Sequence, residues 1–66
     1  MKASKKKLDL AMASACMNPK AISLKAGISY PAFQRARNQE NVKPATLGRI
    51  AKALGVDVLE IIETEE

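Results

Sequence analysis

The chain has 66 residues and a formal net charge of +4, which bounds it to one small domain over 1–66 with a modest core and no deep, walled catalytic pocket. It contains no His, no Trp and a single Cys, which excludes a His-based triad, a His-bearing or all-cysteine zinc site and an internal disulfide, and fits a reducing compartment such as the cytoplasm. No apolar run approaches the roughly 18 residues that would span a membrane and nothing reads as a signal peptide, so no membrane association is expected. No metal or cofactor is expected from these residue types, and no small-molecule ligand, since 66 residues leave no room for a separate ligand-sensing domain.

In chain order, the chain begins with the lysine-rich stretch Lys2-Ala-Ser-Lys-Lys-Lys7, and residues 1–6 read as a flexible basic arm. A first helix follows over about Ser4–Cys16, with Leu8, Ala11, Met12, Ala15 and Cys16 on one apolar stripe. On this reading Cys16, Met12 and Met17 are core residues. Asn18 caps a second helix over Pro19–Ala26, with Pro19 in its first turn and Met17 and Ile22 at staple spacing. Gly27 stops it. Ser29 caps a third helix over about Tyr30–Asn38, whose apolar residues are Phe33 and Ala36. Residues 39–43 form a polar loop around Val42. A fourth helix spans Pro44–Leu54, with Leu47, Ile50, Ala51 and Leu54 inward and Gly55 at its end. Gly48 lies inside it, at a propensity cost of about 1 kcal/mol against Ala. Asp57 then caps a fifth helix with Val58, Ile61 and Ile62 inward, and residues 63–66 form an acidic tail.

The charge is divided along the chain. Residues 1–56 hold all eleven Lys and Arg and only two acids, Asp9 and Glu40, a local excess of +9; residues 57–66 carry −5. A body that basic calls for an anionic partner, nucleic acid or an anionic lipid surface. Residues 19–38 add the means: a short helix, the turn Ala26-Gly27-Ile28-Ser29 and a second short helix form a helix-turn-helix. Gly27 permits the sharp turn, Ser23 is small enough for the helices to cross closely, and Ile22, Ala26, Ile28, Phe33 and Ala36 fill the angle between them.

The stretches Ile22-Ser-Leu-Lys-Ala-Gly-Ile-Ser29 and Pro44-Ala-Thr-Leu-Gly-Arg-Ile-Ala-Lys-Ala-Leu-Gly-Val56 resemble the phage-repressor (Cro-like, XRE-type) helix-turn-helix family. The resemblance covers about residues 7–63. It implies an all-α, compact five-helix, lambda-repressor-like DNA-binding domain whose second motif helix enters the major groove of double-stranded DNA. Carried over, Ser29, Tyr30, Pro31, Gln34 and Arg35 are candidates to read bases, with Gln34 suited to adenine and Arg35 to guanine or a phosphate. Lys20, Asn38 and Lys43 match phosphate-contacting positions. The family often dimerises near its C-terminal end, which makes the off-stripe Leu59 the candidate for self-association as a homodimer. The chain departs from the family at Pro19, where Gln is common, at Pro31, at Met12, where many members carry Arg, and at Gln39-Glu40-Asn41, where a Gly commonly follows the reading helix.

The expected function is therefore a sequence-specific, double-stranded DNA-binding transcriptional regulator, a small repressor, acting through helix 30–38. The alternative is a protein-interaction module that keeps the fold and binds DNA weakly and without sequence preference. A membrane-surface role requires the cations on one face of an apolar helix, and they are spread over several. An enzyme lacks its nucleophile–base pair.

Overall fold

A computed structural model describes residues 1–63. Among these residues are four α-helices: α1 (Lys5–Ala15), α2 (Pro19–Ala26), α3 (Tyr30–Arg37) and α4 (Pro44–Leu54). The local chemistry that starts and stops them is the chemistry legible in the sequence. Ser4, Asn18 and Ser29 each accept a backbone N–H three residues on, from Lys7, Ala21 and Ala32, and so occupy donors that a helix start leaves free. Gly27 ends α2 at φ 73°, where its N–H reaches Leu24 and that of Ile28 reaches Ser23 at 3.0 Å.

All four helices contribute to one core. Leu8 and Met12 of α1, Ile22 of α2, Phe33 and Ala36 of α3, and Leu47, Ile50, Ala51 and Leu54 of α4 are buried together with Ile61 and Ile62. Each large side chain so placed contributes about 1.5–3 kcal/mol. α2 packs on both α3 and α4, so the helix that presents the motif is held from two sides. Ser23 is buried and its hydroxyl donates to the Lys20 carbonyl at 2.8 Å, which satisfies the polar group inside its own helix.

Several expectations are corrected. The fifth element is a single 3₁₀ turn, Val58–Glu60, rather than an α-helix. Asp57 caps it through the Leu59 N–H at 2.9 Å, but the chain must then extend, because Ile62 pairs with Ala3 in an antiparallel bridge. Ile61 and Ile62 are buried as expected, and Val58 packs half-buried against the core.

The same pairing corrects the flexible arm. Ala3 is fully buried. The Ser4 N–H donates to Ile61 at 2.8 Å and the Glu63 N–H to Lys2 at 3.0 Å, while Met1 exchanges two bonds with Val42. Residues 1–4 thus fasten the C-terminal segment to the loop before α4.

Cys16 is exposed rather than in the core, because it is the residue after α1 and turns the chain at φ 56°. α3 ends at Arg37, with Asn38 as its cap. Gly48 faces open space, so it mediates no close helix approach. Of the acidic tail, residues 64–66 lie outside the described residues.

Candidate nucleic-acid interface

The geometry of α3 follows from two residues. Phe33 and Ala36 are buried and fix the inward direction. At about 100° per residue, Pro31, Gln34, Arg35 and Asn38 then point outward, and Tyr30 lies at one edge. The exposures agree: Tyr30, Pro31, Arg35 and Asn38 are exposed and Gln34 is half-buried. All of the base-reading candidates therefore sit on or beside one protruding helix.

Their chemistry differs in ways the sequence did not show. Ser29 spends its oxygen on the cap of α3, at 3.2 Å from the Ala32 nitrogen, leaving its hydroxyl proton for another acceptor. Gln34 donates its side-chain amide to the Tyr30 hydroxyl one turn earlier. That bond fixes the direction of the Gln34 amide, leaves its carbonyl oxygen free and leaves the Tyr30 O–H proton to donate outward. Pro31 stands between them with no hydrogen-bonding group on its side chain.

Cations flank the helix on both sides. Tyr30 shares a shallow cleft with Asn18, Pro19 and Lys20 at the start of α2. On the other side Arg35 shares a depression with Ala32, Asn41, Val42, Lys43 and Thr46. Lys43 is the residue before α4 and makes no side-chain cap, so the first amides of that helix lack a side-chain acceptor, and the dipole end there is positive. A cation beside a positive dipole end is a place where an anion is favoured. Asn41 and Thr46 complete this lining and were not anticipated. The available signal was the start of α4 without a side-chain cap, since a Lys side chain before Pro44 carries no acceptor for a backbone donor.

Lys20, Arg35 and Lys43 form no ion pair with a described residue. Arg37 does: its Nε lies 3.1 Å from the Asp9 carboxylate, tying α3 to α1. Both partners are partly exposed, so the pair is worth about 0–1 kcal/mol; Arg37 stands on the flank of α3 and outside its outward set.

The turn after α3 is also resolved. Gln39 adopts φ 65°, a conformation that favours Gly, at the place where the expected glycine is missing. Its side-chain amide donates to Glu63 at 3.0 Å.

Leu59 is exposed on the 3₁₀ turn, as are Leu10 on α1 and Leu24 on α2. Among the described residues no group of three or more His, Cys, Asp or Glu side chains is placed to hold a metal. None of their helices is long and apolar enough to cross a membrane.

A family model for the Cro/C1-type HTH DNA-binding domain matches residues 7–66. No curated protein and no solved structure matches the chain.

Proposed function

Since the chain belongs to the Cro/C1-type HTH DNA-binding domain family, we propose that it is a sequence-specific transcriptional regulator, a small repressor that reads the major groove with α3. It acts by occupying its site in the cytoplasm and not by catalysis. The observation that carries this reading is the disposition of α3. Its outward side presents Pro31, Gln34, Arg35 and Asn38, edged by Tyr30, while Lys20 and Lys43 flank it. Cations on both sides position the domain on two phosphate strands, and the side chains between them meet base edges. Leu59 is the proposed contact for a homodimer. Two copies would then place their α3 helices about 34 Å apart on a pseudo-palindromic operator.

One observation favours the alternative, a protein-interaction module that retains the fold with weak, non-specific DNA binding. Pro31 offers no hydrogen bond, and Gln34 and Tyr30 each spend one on the other.

Fluorescence anisotropy on duplex DNA tests the interface. Lys20→Ala and Lys43→Ala should each weaken binding to every duplex and reduce the slope of log affinity against log salt by about 1. Unchanged slopes in both variants would remove these lysines from the interface and count against the reading.

A further inference from the structure

The three cations assigned to the α3 face leave most of the basic excess unused. Lys25, Arg49 and Lys52 gather elsewhere. They line one shallow depression whose floor is Ala26 and Ala53, at the C-terminal half of α2 and the second half of α4. All three are exposed. None forms an ion pair with a described residue, and the depression has no acidic lining residue.

This patch is separate from the α3 face. It shares no residue with the clefts beside Lys20 or Lys43. Along α4, Lys52 lies nine positions beyond Lys43, about 13 Å at 1.5 Å per residue. Along α2, Lys25 is five positions beyond Lys20, so it is rotated by about 140° as well as displaced by about 7 Å. Placement at helix C-termini accounts for Lys25 and Lys52, where a cation complements the dipole. It does not account for Arg49, at the middle of α4.

We propose that Lys25, Arg49 and Lys52 form a second phosphate-binding surface, on which the domain holds a second segment of duplex DNA while α3 engages the first. The inference rests on the DNA-binding reading above. The chemistry of the patch selects the ligand. Its charged groups are all cationic and its floor is two alanines, so it has neither a pocket for an apolar peptide side chain nor an aromatic platform for an unstacked base. What remains is attraction to a repeating line of phosphates, without sequence preference. Three such contacts make bridging steeply salt-dependent, with a loss of about fortyfold between 50 and 200 mM salt from a slope of about 0.9 per phosphate.

The test uses the full chain, an immobilised duplex and a fluorescent duplex. Capture of the fluorescent duplex measures bridging, and anisotropy on one duplex measures α3 binding. The triple variant Lys25→Gln, Arg49→Gln, Lys52→Gln should stay folded, with a modest fall in melting temperature from the two lost helix C-terminal cations, and bind a single duplex within about threefold. It should lose capture by about tenfold or more. Intact single-duplex binding with no wild-type capture overturns the proposal. So does capture that persists in the triple variant, which assigns bridging to a dimer with two α3 faces. If polyglutamate and not a second duplex shifts the Ala26 and Ala53 amide resonances, the patch takes an acidic peptide and the proposal is likewise overturned. Failure of single-duplex binding itself refutes the underlying reading and the inference with it.

Discussion

Ala3→Glu should destabilise the domain by about 2–3 kcal/mol. Ala3 has no exposed surface, and a carboxylate there can reach water only if the segment detaches. Detachment forfeits four backbone hydrogen bonds: Ser4 N–H to Ile61, Glu63 N–H to Lys2, and the two between Met1 and Val42. At about 1 kcal/mol each these total about 4 kcal/mol. Two or three freed residues return about 1 kcal/mol each. Uncovering Ile61 and Ile62, at 0% and 8% exposure, costs about 1 kcal/mol more if some 40 Å² of apolar surface is exposed. A chain of this size has about 3–10 kcal/mol in all, so the loss is a large fraction. Urea unfolding followed by far-UV circular dichroism should show the midpoint falling by about 2 M for a slope near 1 kcal/mol/M. Lys2→Ala, whose side chain is exposed, should leave the midpoint where it is. If Ala3→Glu unfolds with the wild type while Lys2→Ala weakens DNA binding, residues 1–4 are an arm for DNA, and the account of them as a fastening is wrong.

Gly48→Ala should raise stability by about 0.8–1 kcal/mol in thermal melts, because a methyl group there meets nothing within 4 Å; no gain would mean an unseen neighbour. Gln39→Gly should be neutral to stabilising by about 1 kcal/mol despite the general cost of added glycine, because φ is 65° there. A clear loss would show that the Gln39–Glu63 bond outweighs the strain. Leu59→Glu, on a 63% exposed side chain, should leave the melting curve intact and lower the sedimentation coefficient if Leu59 is the self-association contact; identical sedimentation sinks that assignment. Tyr30→Phe should preserve overall duplex affinity and relax base preference at the position Gln34 reads, since the Gln34 amide loses its acceptor. An unchanged preference would mean the Tyr30–Gln34 bond sets nothing.

The helices were legible because their signals are local. Asn18 before Pro19, Ser29 before the Tyr30–Pro31 start and Gly27 after Ala26 each fix a boundary within one turn, and the structure places all of them where that chemistry puts them. The terminal pairing was not legible. Ala3 and Ile62 lie at opposite ends of the chain, and a two-residue bridge has no hydrophobic period to reveal it. The 3₁₀ turn followed from the same unseen constraint: inward spacing of Val58, Ile61 and Ile62 suits a helix until the bridge requires extended backbone. Cys16 was misplaced because spacing alone cannot separate the last residue of a helical stripe from the cap beyond it. The outward set on α3 was readable from Phe33 and Ala36. The bond between Tyr30 and Gln34, the pairing of Arg37 with Asp9 and the lining by Asn41 and Thr46 arise only in the folded chain. At Gln39 the missing glycine marks a left-handed turn that persists without one.

The most direct measurement is selection of bound sequences from a random duplex library, with the enriched duplex then titrated against scrambled DNA at two salt concentrations. The expected result is one enriched pseudo-palindromic sequence, bound at least about a thousandfold more tightly than scrambled DNA. Enrichment should be lost in Gln34→Ala or Arg35→Ala. Equal, salt-sensitive binding to every duplex, with no sequence enriched, would contradict it.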